Sequence, residues 1–193
     1  MTKFSQSLNT LLKSNQALTL NALVDAFTEK SFAVLLLLLL AIPALPLPTG
    51  GVTHIFEIIA MLLALELIAG RTSVWLPHSW LSKQLPSALQ STALPKLIRI
   101  IKWAEKYSKP RLELLQNGKF SLRIIGLIVF VLTLFAFLAP PFSGLDTLPS
   151  LGVVLISLGL IFEDFFISLV GLILGAVGVG LVLVLGKAVF QLF

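Results

Sequence analysis

Six consecutive leucines, Leu35 to Leu40, sit inside an apolar run from Phe32 to Leu45, and the run dissolves into IPALPLPTGG, residues 42 to 51. Three prolines and two glycines therefore interrupt a segment hydrophobic enough to enter lipid. At about 1.5 Å per residue the run reaches roughly 21 Å, short of the roughly 30 Å of a bilayer's hydrocarbon core. It is too short to cross alone. A broken backbone at that depth leaves amide groups unpaired at several kcal/mol each, unless protein covers them or they line a watery cavity. The stretch reads as the tip of a folded-back hairpin that dips into the membrane and returns.

The rest of the chain belongs to the same solvent. Apolar side chains make up 57% of 193 residues and charged ones 12%, too few to cover a soluble domain of this size. The chain is read as one integral membrane domain with all-α structure. There is no cysteine, and His54 and His78 lie in no metal-ligating or paired-carboxylate spacing, so no metal, no cofactor and no thiol chemistry is expected. No Ser-His-Asp arrangement, phosphate-binding loop or Asp-x-Asp motif is present, and the chain is read as a non-enzyme. Residues 1 to 45 are not read as a signal peptide, because about 30 polar and periodic residues precede the apolar core.

A shift of 93 residues brings Lys30 onto Arg123, Pro48 onto Pro141, Gly51 onto Gly144 and ALELIAGR (64 to 71) onto SLGLIFED (157 to 164), without a gap. Leucine matches carry little weight here, but the basic residue, the Pro-x-x-Gly turn and the L-x-L-I run together indicate an internal repeat. Repeat 1 spans 31–71 and repeat 2 spans 123–164. Each is a short apolar helix, a Pro/Gly break and a second apolar helix returning to a charged end; either each unit is a re-entrant-like hairpin that enters and leaves by the cytoplasmic face, or one unit crosses and the two are inverted, and arms of about 14 to 18 residues favour the first. The returning helix of repeat 1 is placed at about Thr53 to Ala69.

Around the repeats lie surface elements. Residues 1–30 show helical periodicity and are read as interfacial helices. Residues 72–122 form a basic segment. From Arg71 to Arg123 the chain carries ten Lys or Arg against Glu105 and Glu113, and this stretch holds every Trp and the only Tyr. Basic and aromatic residues together mark the cytoplasmic membrane interface, not a nucleic-acid site. Within this segment, Lys96, Arg99, Lys102 and Lys106 share the polar face of an amphipathic helix, a surface for anionic lipid or for a partner protein. Residues 165–193 contain the best spanning helix, Phe165 to Leu185, with Gly171, Gly175 and Gly178 on one face for helix packing or a homodimer contact.

The LPTGG turn, LALELIAGR followed by WLP, the LAPPF turn, and DTLPSLGVVLISLGLIFEDF together resemble the ExoD family of bacterial exopolysaccharide-synthesis membrane proteins. The likeness runs from about residue 19 to 185. It implies a multi-pass protein of the bacterial inner membrane, linked to production of extracellular polysaccharide. It supplies a process without a mechanism. This chain departs from the family pattern at Asp146, where Asn is usual, and at His54.

His54 and Glu57 are three residues apart on one helical face just past the first tip, and the repeat aligns Thr147 and Ser150 with them, next to Asp146. Ionisable groups at membrane depth are costly and usually face a cavity or one another. These five residues are the candidates for a substrate or ion site where the tips meet, the tips themselves being Pro48, Gly50 and Gly51 in one repeat and Pro141 and Gly144 in the other. Against this stands a plain capping role at the broken helix starts, with Thr53 or Asp146 as the N-cap. Two functions follow. One is transport or permeation serving exopolysaccharide synthesis or export; the alternative is a non-transporting assembly or regulatory partner of a polysaccharide synthase.

Overall fold

The computed structural model describes residues 30–45, 53–75, 77, 119–140 and 143–190, together with isolated positions between 6 and 27 and between 84 and 106. Among the described residues five helices are bounded, in order: α1 (Ser31–Leu40), α2 (Thr53–Ile68), α3 (Lys119–Leu138), α4 (Thr147–Phe162) and α5 (Phe165–Phe190). Apart from one isolated bridge between Thr19 and Gln84, the described residues form no strand. The interfacial helices expected in residues 1–30 fall largely outside the described positions, as do Pro48, Gly50, Gly51, Pro141 and Lys96.

A helix that is apolar on every side must be enclosed on every side. All ten residues of α1 are buried, with Val34 to Leu38 and Leu40 fully so. The leucine run is thus the centre of the protein, packed against α2 and α4. Turns carry the chain on from α1 through Leu45, with Ala44 N–H donating to Leu40 O at 3.0 Å. This agrees with an apolar run that ends at Leu45.

The outer helices have the opposite character. Phe120–Leu138 and Phe165–Leu185 are long and apolar enough to cross a membrane, and only 28% and 22% of these windows are buried. Phe120 is 76% exposed and Val184 68%. A core helix of a soluble protein would hide such residues. Apolar faces this broad call for lipid as their solvent. The two spans include one that the sequence reading did not single out: α3 has 20 residues, starts four residues before Arg123, and exceeds the expected arm length.

Glycines let the helices approach closely. A Cβ built on Gly152 of α4 would lie 2.6 Å from Gly175 Cα and 2.8 Å from Gly171 O, both on α5. One on Gly178 would meet Pro149 and Leu148 at the start of α4. The glycine face of α5 is therefore used inside the chain, against α4, which favours the packing reading of that stripe. Gly126 of α3 makes the equivalent close approach to α2, where its Cβ would stand 2.8 Å from Ile68 N.

Candidate functional site

Two clusters of polar residues sit at opposite ends of the bundle. The first forms where α2 and α4 begin. Glu57, one turn into α2, is fully buried, and its Oε2 lies 2.7 Å from His54 Nδ1. His54 is 28% exposed, so the imidazole stands between the carboxylate and the outside. Its ring packs edge-on against Phe137 near the end of α3, with centroids 5.1 Å apart. The short contact needs one proton between the two atoms, and the imidazole tautomer sets which of them donates. Glu57 Oε1, the other carboxylate oxygen, is buried with no hydrogen-bond partner among the described residues.

Asp146, just ahead of α4, lies within electrostatic reach of both His54 and Glu57. It occupies the N-cap position of α4 without a side-chain bond of capping geometry, although the backbone amides of Asp146 and Thr147 act on its carboxylate. Thr147 is half-buried as the first residue of α4, and Ser150 one turn on is fully buried with its Oγ unpartnered. Gly144, in the loop before α4, has φ of 68°. Of the five candidates, three ionisable side chains come together from two segments far apart in sequence, and Ser150 adds a second orphan polar atom. Among the described residues no three His, Asp or Glu stand close enough to hold a metal ion.

The second cluster closes the other end. Lys30, just before α1, donates to Glu163 Oε1 at 2.8 Å and to Ile161 O at 2.7 Å, capping the C-terminus of α4 across 131 residues of chain. The guanidinium of Arg123 lies over Gly70, its Nε 3.3 Å from where a Cβ would be. Asp164 is 5% exposed, and its Oδ1 accepts the Phe166 N–H at 2.9 Å as the N-cap of α5. Glu163 and Asp164 are therefore not the freely solvated turn that their sequence position suggests. Glu66 accepts the Trp75 N–H at 2.7 Å, and Arg71 lies 5.6 Å from the Trp75 ring, which gives Glu66 a structural task.

Along the basic segment, Ile98 and Ile101 are buried while Arg99, Lys102 and Lys106 are exposed. At these positions the two faces are as the periodicity predicts. The isoleucines belong to the same core as α1.

The Lys30–Glu163 contact is not among the sequence expectations, and its signal is the pair of charges just ahead of α1 and just after α4.

Comparison with known proteins gives the family directly. The family model described as "Exopolysaccharide synthesis, ExoD" matches residues 4–184. An uncharacterized protein of Synechocystis sp. is 30% identical over 145 residues, which cover 75% of this chain and 68% of that protein. Protein ExoD of Rhizobium meliloti is 31% identical over 151 residues, 76% of this chain and 61% of the relative, so the match spans less than two thirds of that protein. No solved structure matches the chain. With a family model covering nearly the whole length and a relative of that name at 31% identity, the chain belongs to the ExoD family.

Proposed function

We propose that this chain is a multi-pass inner-membrane protein that serves exopolysaccharide production as a transporter-like device, with its site where the tips of two repeated hairpins meet. The repeat reading is supported by the ends of α2 and α4, each 16 residues long. Gly70 and Glu163, 93 residues apart, both adopt left-handed backbone, with φ of 79° and 58°. Arg71 N–H bonds to Glu66 O at 3.0 Å, and 93 residues later Asp164 N–H bonds to Gly159 O at 2.8 Å. Both are Schellman closures. The Lys30–Glu163 and Arg123–Gly70 contacts bring the open ends of both hairpins to one side. Such an arrangement fits parallel repeats about an axis along the membrane normal, with the basic side in the cytoplasm.

One observation carries the site: the carboxylate of Glu57 is fully buried, shares a proton with His54, and keeps one oxygen without a partner among the described residues, beside Asp146 of the other hairpin. An unsatisfied buried oxygen is expensive to maintain, and a water, cation or substrate hydroxyl offers what the protein withholds. Such groups at membrane depth serve ion or substrate pathways, and a proton held between His54 and Glu57 suits coupling to proton movement. No covalent chemistry is assigned to the cluster.

The second reading, an assembly or regulatory partner of a polysaccharide synthase, is favoured by the exposed Arg99, Lys102 and Lys106 above buried isoleucines. Exopolysaccharide output per folded membrane protein separates the two. Glu57→Gln and His54→Ala should abolish output in a transporter, with folded protein still present. Replacing Lys96, Arg99, Lys102 and Lys106 together by Gln should then leave most of it. Normal output from the tip variants with loss from the basic-face variant would overturn the transport reading in favour of the partner.

A further inference from the structure

The charged end of the bundle holds a cavity that the tip site does not use. It has a volume of about 440 Å3 and is bounded by Lys30, Arg71, Thr72 and Glu163 on its polar side and by Phe32 and Leu122 among its apolar walls. Two further wall residues, Ile125 and Leu160, also line a second, almost wholly apolar groove of about 170 Å3 between α3, α4 and α5. The cavity and the groove are thus neighbours across the same two side chains.

On α3 the groove extends from Ser121 to Ile128, about 10 Å along the helix axis. That is roughly a third of a hydrocarbon core, measured inward from the charged end. Ile124 and Phe165, which line it, are partly exposed on faces that call for lipid, so the groove is open on its side toward the bilayer. A polar mouth at the interface beside an apolar slot that runs in the direction of the acyl chains, with Ile125 and Leu160 between them, offers one place for a lipid's head and another for its tail.

Charge decides the head. Among the residues that line the mouth, Lys30 and Arg71 face the carboxylate of Glu163, while Glu66, bonded to the Trp75 N–H, lies within electrostatic reach of Arg71 from outside the lining. Lys30 spends two of its donors on Glu163 and Ile161 O, whereas Arg71, held at 5.6 Å from the Trp75 ring, has a guanidinium suited to paired bonds with phosphate oxygens. A zwitterionic head would bring an ammonium into a mouth that already has an excess of cations.

We propose that this end of the protein binds an anionic glycerophospholipid of the bilayer, its phosphate at Arg71 and Lys30 and one acyl chain in the groove lined by Ile125, Ile128 and Leu160. The site stands apart from the His54–Glu57 cluster, and its occupancy is measured without reference to polysaccharide.

The test is a thermal-unfolding titration of the purified full chain in uncharged detergent with phosphatidylglycerol, phosphatidylcholine or a polyisoprenyl phosphate. Phosphatidylglycerol should raise the unfolding temperature saturably, with an apparent affinity at least fivefold above that of phosphatidylcholine. Arg71→Gln should lower that affinity about fivefold or more, and Ile125→Phe, which fills the shared wall, should lower it as well. Arg71→Lys, which keeps the charge but loses the paired donors, should bind between Arg71→Gln and the parent, and Arg99→Gln, a basic residue outside the cavity, should bind as the parent does. Equal effects of the two phospholipids, response to the polyisoprenyl phosphate alone, or equal losses from Arg99→Gln and Arg71→Gln would each overturn the proposal. If Arg71→Gln gives no folded protein, Ile125→Phe and Arg71→Lys decide: parent-like affinity in the first, or complete loss in the second, would count against it.

Discussion

Lys30 and Glu163 form an ion pair of 2.8 Å across 133 residues of chain, and the residues 93 positions away from them, Arg123 and Gly70, meet in the same sense. Lys30 ahead of α1 thus rests on the end of α4, and Arg123 on α3 rests on the end of α2. The helix pairs α1–α2 and α3–α4 are fastened reciprocally at their charged ends. Both side chains of the pair are about a third exposed, so the Coulomb part is worth only about 0.5–1 kcal/mol. Lys30 also caps a helix carbonyl, which adds about 1 kcal/mol. Lys30→Ala should therefore cost about 1–2 kcal/mol in reversible unfolding in detergent. Glu163→Gly should fall within about 1 kcal/mol of the parent, because losing the pair is offset by relief of a left-handed non-glycine residue. A double-mutant cycle with coupling near zero would mean the contact holds nothing together.

Close packing of α4 on α5 makes a graded prediction with three glycines. A Cβ on Gly152 would press on backbone atoms of Gly171 and Gly175, which cannot yield without separating the helices, and Gly152→Ala should cost about 2–3 kcal/mol. The Cβ of Gly175→Ala meets only the end of the Leu132 side chain, which can rotate, and about 1 kcal/mol is expected. Gly180 has nothing within 4 Å, and Gly180→Ala should be neutral or stabilise by up to about 1 kcal/mol through helix propensity. The same order should appear in unfolding temperatures, and a Gly152→Ala protein as stable as Gly180→Ala would contradict the packing.

Topology can be read with single cysteines, because the chain has none of its own. Ser73, exposed just after α2, marks the charged end, and Ser143, exposed before α4, marks the tip end. If the basic side is cytoplasmic, Ser73→Cys in intact cells should resist a membrane-impermeant thiol reagent. The 20-residue α3 is long enough to carry Ser143 across, so Ser143→Cys should label from outside. Labelling at Ser73 would reverse the orientation. Protection of both, with labelling after permeabilisation, would mean that the second hairpin dips in without crossing.

Elements with one-dimensional signatures were legible in the sequence. The start of α2 at Thr53, the last helix from Phe165 and the two faces around Ile98 follow from apolar period, Pro/Gly punctuation and charge placement. The length of α3 was harder to read, because Lys119 and Arg123 made its first turn look like part of the basic segment, whereas the helix begins at Lys119 and its apolar span runs from Phe120 past Arg123. Burial of the leucine run was also illegible, since a helix without a polar face looks the same in lipid and in a protein core. At the candidate site, the spacing of His54 and Glu57 announced their contact, and the repeat pointed to Asp146. Which carboxylate oxygen stays unpaired depends on neighbours from other elements, and no local pattern encodes that.

The last prediction sets stability against function at the tip. Glu57 is fully buried and His54 partly open, so the two halves of the pair are unequal when one is removed. His54→Ala takes away the imidazole that screens a buried carboxylate, and breaking such a pair from this side should cost about 3 kcal/mol. Glu57→Leu removes the buried charge together with its orphan oxygen and replaces it with a side chain of similar size, leaving an imidazole that water can reach. That variant should lie within about 1 kcal/mol of the parent or above it, and His54→Ala combined with Glu57→Leu should recover most of the stability lost by His54→Ala alone. A carboxylate kept against this thermodynamic gradient implies a task that Leu cannot perform. Glu57→Leu is therefore expected to be well folded and without exopolysaccharide output, a combination that packing alone does not produce. Unfolding free energy in detergent and polysaccharide per folded molecule, measured on the same preparations, check both halves. Full output from a stable Glu57→Leu protein would remove Glu57 from the site.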